Sequence, residues 1–245
     1  MLPEFYQKCF QNLLTPTQYK MLQILVLVIQ FHKTITLEKL ATVFPQPILF
    51  ESRRRSIQRF LVLPQLSLQL LWFPLVKHWV KMSKLKQGKR LTFAIDRTQW
   101  RGQNIFFMSL IEDKRALPIY WQSLSKRGAS NLREQTALIR PLLRLFKGYR
   151  LLVLGDREFH SIKLANWLQS KGIDFVLRQK KGTYVRQPNS SFQRLAALGL
   201  EPGVSFFFEK VQFTKQKGFG TFNLAGYYPR KYRGKVEPSH LVSFN

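Results

Sequence analysis

Leu91-Thr92-Phe93-Ala94-Ile95-Asp96-Arg97-Thr98-Gln99-Trp100 is the stretch that decides the fold. Leu91, Phe93 and Ile95 fall on one side of a strand, and Thr92, Ala94 and Asp96 on the other. A carboxylate closing so apolar a run costs free energy unless water, a hydrogen bond or a cation compensates it. The pattern returns as Leu151-Leu152-Val153-Leu154-Gly155-Asp156, followed by Arg157-Glu158-Phe159. Of the four aspartates in the chain, these two finish apolar strands. If those strands are neighbours in one sheet, Asp96 and Asp156 converge, and paired carboxylates are the hard oxygen ligands that Mg²⁺ or Mn²⁺ takes. Strand-end aspartates also cap turns, so the pair alone fits either role.

Around these strands the order from 91 to 180 reads β-β-β-α-β-α-β. Residues 91–96, 104–111 and 116–122 alternate as strands, with Glu112-Asp113-Lys114-Arg115 as a polar turn. A helix starts at Ser130 or Asn131, is kinked by Pro141 and stops at Gly148. Strand 151–155, helix 161–171 closed by Gly172, and strand 173–178 follow. A meander succeeded by alternating units predicts an α/β core with a mixed sheet and helices on its faces.

Upstream, residues 1–83 predict an all-helical domain: helices at 17–32, 37–44 (capped by Thr36), from Ser52, and 65–82 with a bend at Pro74. Downstream, 181–240 is β-rich, with Phe and Tyr interleaved with Lys and Arg and hairpin turns near 215–218 and 233–234. Residues 241–245 begin one more strand.

Charge narrows the partners. Forty Lys and Arg against 13 Asp and Glu give a formal charge of +27, and a chain so basic calls for a polyanion, most commonly nucleic acid. The basic residues are spread through periodic segments rather than gathered in tails. In the helix beginning at Ser52, Ile57, Phe60 and Leu61 form an apolar back, with Arg54, Arg55 and Arg59 among the cations outside it. That pattern fits a helix laid in the major groove of double-stranded DNA, and equally an ordinary solvated basic face. The aromatic and basic β segments suit base stacking, or a β-subdomain with a charged edge. Cys9 is the lone cysteine and the four histidines lack ligand spacing, which excludes an internal disulfide and a cysteine-zinc site. No secretory leader is evident; residues 21–31 are too short to span a bilayer, and 61–80 are interrupted by Pro64, Pro74 and Lys77. A cytoplasmic, nucleoid-associated protein without membrane contact is expected.

The wording around the two aspartates adds a resemblance. Ile95-Asp96-Arg97-Thr98-Gln99-Trp100 and Leu154-Gly155-Asp156-Arg157-Glu158-Phe159 resemble the first and second acidic motifs of DDE transposases of bacterial insertion sequences, above all the insertion-sequence-four family with its β-rich insertion. Ala116-Leu117-Pro118-Ile119-Tyr120-Trp121, Lys126-Arg127-Gly128-Ala129-Ser130-Asn131 and Ser52-Arg53-Arg54-Arg55 with Gln58-Arg59-Phe60-Leu61 look similar in the same order. The resemblance implies a ribonuclease-H-like core in which Asp96 and Asp156 are the catalytic, Mg²⁺- or Mn²⁺-binding aspartates. It also implies binding of terminal inverted repeats and target DNA, and a synaptic homodimer. Thr98 is a candidate auxiliary group, Glu158 a substitute ligand, and Arg97, Arg157 and Arg178 are candidate DNA-backbone contacts.

The family's third acid is a glutamate on a helix after the insertion, and no Tyr-Arg-Glu-Lys series follows here. The expectation is therefore a truncated transposase, inactive alone and poorly soluble. The alternatives are a noncatalytic DNA-binding fragment that represses transposition and a general basic nucleic-acid binder.

Overall fold

A computed structural model describes residues 4–83, 90–100, 102–126, 128–214, 220–230 and 239–244. The expected linker at 84–89 and the hairpin turns near 215–218 and 233–234 lie outside the described residues. The chain divides into two compact units, 1–83 and 84–245.

The first unit is helical: α1 Glu4–Leu13, α2 Pro16–His32, α3 Leu37–Val43, α4 Phe50–Leu61 and α5 Phe73–Met82. Helix α2 begins with a capping box in which Thr15 and Gln18 satisfy each other's backbone N–H groups, and Pro16 sits in the first turn, where a missing N–H costs nothing. Thr36 precedes α3 in extended conformation without making a side-chain cap. Leu25 and Val28 of α2, Leu40 and Ala41 of α3, and Ile57 and Phe60 of α4 share one core. The α1 helix, unexpected from the sequence, packs Phe10 with Leu14, Tyr19 and Leu75 in a second cluster. The continuous helix expected over 65–82 is instead a 3₁₀ turn (Pro64–Leu66), a π turn (Leu68–Trp72) and α5. Pro74 occupies the first turn of α5, and the π turn lies immediately before it. No single helix among the described residues is long and apolar enough to cross a membrane.

The second unit is a mixed sheet with helices α6 Leu132–Leu145 and α7 Ile162–Ser170. Its first five strands are β1 Arg90–Trp100, β2 Gln103–Glu112, β3 Arg115–Leu124, β4 Arg150–Gly155 and β5 Asp174–Arg178. β6 Tyr184–Arg186, β7 Gln193–Arg194, β8 Ser205–Phe213, β9 Thr221–Tyr227 and β10 Ser239–Phe244 continue the same sheet, in the order β3-β2-β1-β4-β5-β10-β9-β8-β6-β7. The β-β-β-α-β-α-β core is thus observed, with β1, β4 and β5 mutually parallel and β2, β3 and β10 antiparallel to their neighbours. Asn131 and Glu134 form the capping box that starts α6, and Pro141 leaves that helix unbroken.

Leu91, Phe93 and Ile95 of β1 are buried with Phe106, Met108, Leu110, Val153, Phe175 and Leu177 from the neighbouring strands. Gly155 closes β4 where the strands crowd. A β-carbon built there would lie 2.8 Å from Leu177 Cδ2 and 2.9 Å from Phe159 Cβ. Phe159 is fully buried and stacks on Phe106 with ring centroids 5.7 Å apart. This packing pins the turn after β4. Gly155→Ala should therefore destabilise the unit by about 1–3 kcal/mol in urea denaturation, the range for overpacking. Gly182→Ala, with nothing within 4 Å of its added carbon, should stay within about 0.5 kcal/mol of the parent.

Candidate active site

The parallel ladder between β1 and β4 runs from Arg90 opposite Arg150 to Ile95 opposite Gly155. Asp96 and Asp156 are the next residues on each strand. Neighbouring strands lie about 4.8 Å apart and paired residues share a face, so the two carboxylates leave one sheet edge side by side. Both aspartates are exposed. The sequence expectation that β1 ends at Asp96 needs correction, because β1 remains paired with β2 through Trp100 opposite Gln103. Asp96 is where β1 loses its neighbour on the β4 side only, and the gap opens there.

Short hydrogen bonds orient both carboxylates. Asp96 Oδ1 accepts the backbone N–H of Arg97 at 2.7 Å. Asp156 caps the 3₁₀ turn Arg157–Phe159, and its Oδ1 accepts the backbone N–H of Glu158 at 2.8 Å. Thr98 is exposed, and alternation along β1 puts it on the face of Asp96. Arg178 follows Leu177, which pairs with Gly155, so it comes beside Asp156 at the same edge. Its Nε is buried with no hydrogen-bond partner among the described residues. Arg157 is half-buried in the turn.

Arg97 and Glu158 meet each other. Arg97 Nε lies 2.7 and 2.9 Å from the two Glu158 oxygens, and Arg97 Nη2 lies 2.7 Å from Oε2. Their side chains are only 21% and 18% exposed, so the pair is shielded from water. Arg97 Nη1 also donates to Asn104 Oδ1 at 3.3 Å, while Asn104 Nδ2 donates to the carbonyls of Lys126 and Gly128. The backbone N–H and hydroxyl of Ser130 reach Glu158 Oε1 at 3.4 Å, and Gln135 Nε2 donates to the Ser130 hydroxyl. Asn104 and Gln135, both buried, were not singled out in the sequence as site residues. Beyond the helix start at Ser130 or Asn131, the segment 126–131 stood out by its resemblance, because nothing local says that Lys126 and Gly128 meet Asn104 of β2 or that Ser130 meets Glu158.

These contacts set the ionisation of the pair. Burial pushes the Glu158 carboxyl up, but the Arg97 guanidinium and the Ser130 donors outweigh it and hold the group below its ordinary value. Arg97 is raised, first by its bond to Glu158 and further by the charges of Asp156 and Asp96, against burial. One guanidinium therefore feels both aspartates. Burial, and then the charge of Lys180, pull His160 down toward its neutral form.

Carboxylate oxygens are the right donors for a hard divalent ion, and Mg²⁺ commonly takes one or two carboxylates and keeps several waters. The aspartate pair fits one such ion. Among the described residues no cluster of three or more His, Cys, Asp or Glu forms a fuller metal site. In the helical unit, Arg54 lies 3.6 Å from Glu51 and 3.9 Å from Glu38, while Arg55 and Arg59 line a shallow cleft of about 570 Å³ with Ser52, Gln58 and Val62.

A family model of the transposase DDE domain matches residues 87–239. The chain belongs to that transposase family. No curated protein matches it. Among solved structures, the transposase domain is similar to the piggyBac transposase synaptic complex with hairpin DNA at 14% identity, over 90% of this chain and 49% of that one, with a TM-score of 0.45. It is also similar to Marinitoga piezophila Argonaute in complex with 5′ OH guide RNA and target DNA at 13% identity, over 63% of this chain and 22% of that one, with a TM-score of 0.28. The transposase chain thus spans about half the length of the piggyBac transposase it is compared with.

A depressed carboxyl contributes stability that is present above its unfolded value, near 4.5 for Glu158, and is lost as pH falls through the lower folded value. Denaturation midpoints followed from pH 6 to about pH 3 should therefore drop below about pH 4.5, and Glu158→Gln should flatten that part of the curve.

Proposed function

We propose that this chain is the DNA-binding and catalytic portion of an insertion-sequence transposase of the insertion-sequence-four type, bacterial and acting in the cytoplasm. In this reading Asp96 and Asp156 bind Mg²⁺ or Mn²⁺ at the end of a phosphodiester. The observation that carries it is the side-by-side exit of the two aspartates from paired parallel strands inside a transposase DDE domain. A bound divalent ion would supply an activated water or 3′-hydroxyl nucleophile and stabilise the leaving oxygen. The protein's own part is to hold both carboxylates at one sheet edge, with Thr98 on the same face and Arg157 and Arg178 nearby as cations for the DNA backbone. Helix α4 takes the double helix through Arg54, Arg55 and Arg59 from the unit 1–83. Terminal inverted repeats and target DNA are the substrates, and two copies form the synaptic assembly.

One observation favours a second reading, a noncatalytic DNA-binding fragment that occupies transposon ends. A two-ion site needs at least one further carboxylate, and the described residues bring none to the pair.

DNA binding and cleavage separate these. Affinity for an inverted-repeat duplex should fall on the order of a thousandfold between 50 and 200 mM salt, as for about six phosphate contacts. Arg55→Ala with Arg59→Ala should lower the log–log salt slope by about two. Metal-dependent strand cleavage that vanishes in Asp96→Ala supports the enzyme, and tight binding without cleavage supports the second reading. Cleavage that survives Asp96→Ala, or binding indifferent to salt, contradicts the proposal.

A further inference from the structure

We infer that Arg97 and Glu158 are positioning residues, a cross-strand brace that sets the distance and rotamers of Asp96 and Asp156. This rests on the reading of the two aspartates as the metal-binding pair. The hydrogen bonds form a continuous chain from Asp96 to Asp156. Asp96 accepts from the N–H of Arg97, and the Arg97 guanidinium grips the Glu158 carboxylate through both oxygens. The N–H of Glu158 then donates to Asp156. Each brace residue thus fixes one aspartate with its backbone and the other half of the brace with its side chain. Alternation sends the Arg97 side chain to the buried Ile95 side of β1, opposite Asp96, so the brace works from beneath the site without occupying it.

Elsewhere in the network the same pair is tied to the scaffold. Asn104 holds Arg97 to β2 and to the Lys126 and Gly128 carbonyls, and Ser130 joins Glu158 to the start of α6. Charge-assisted bidentate bonds are about twice as strong as neutral ones and fix orientation as well as distance. A glutamate held by an arginine in this way is committed as an acceptor, which gives it a different task from that of a direct metal ligand.

The test uses the full chain in four forms: parent, Asp96→Ala, Glu158→Gln, and the exchange Arg97→Glu with Glu158→Arg. Mn²⁺ affinity is read from the free-ion paramagnetic resonance signal, and amide hydrogen exchange is read at positions 97 and 158. Loss of binding in Asp96→Ala checks the metal reading itself. Glu158→Gln should weaken Mn²⁺ about 10–100-fold, the usual cost of removing a group that orients a ligand. It should also speed exchange at both amides, while the charge exchange restores affinity and protection to within about threefold of the parent. A direct ligand role for Glu158 predicts no recovery in the exchanged pair, and that result overturns the brace. Unchanged affinity and protection in Glu158→Gln, with only a lower melting temperature, overturns it too. Should the parent fail to bind Mn²⁺, the metal reading falls, and the exchange protection at 97 and 158 still decides the brace.

Discussion

Parallel pairing of β1 with β4 is the constraint from which the rest follows. Parallel strands need a crossover between them, and here β2, β3 and α6 supply it before the chain returns at Arg150. The ladder brings two residues sixty positions apart in sequence to one place, at the carboxyl end of β4 and β5, where the β1–β4 ladder stops. Ligands in open α/β sheets gather outside the carboxyl ends of strands, because there the backbone leaves the ladder and side chains face a gap. The unequal length of the β1 pairings sharpens this. Support from β2 continues past Asp96 while support from β4 stops before it, so the strand stays rigid where one flank opens.

Two exposed carboxylates that leave neighbouring strands at the same level repel each other, and the fold compensates part of that repulsion. Backbone N–H groups donate to both, and the Arg97 charge acts on both from the opposite face. Arg97 is in turn paired with Glu158, and Arg157 and Arg178 stand close to Asp156. The whole chain is strongly positive, at +27.

Much of this was legible in the sequence because the signals are local. Alternation in 91–96 and 151–155 showed the strands, and both runs are followed by an aspartate where the β1–β4 ladder stops. The arginine–glutamate pair was hidden, since each residue alone looks like a surface ion next to a strand-end aspartate. Only the three-dimensional pairing shows that Arg97 faces inward and meets a residue 61 positions away. Alternation carried the first strand only to Asp96, yet hairpin pairing with β2 keeps Arg97-Thr98-Gln99 extended. Helix α1 went unread although Phe5, Cys9 and Leu13 recur at helical spacing, because its worth lies in Tyr19 and Leu75, which pack on it from elsewhere in the chain.

The most direct test is anomalous scattering at the manganese edge from crystals of this chain grown with Mn²⁺. A single strong peak within about 2.1 Å of one oxygen each from Asp96 and Asp156 is the expected result. A peak elsewhere, or well-ordered aspartates turned apart with no metal between them, would contradict the shared site on which the account depends.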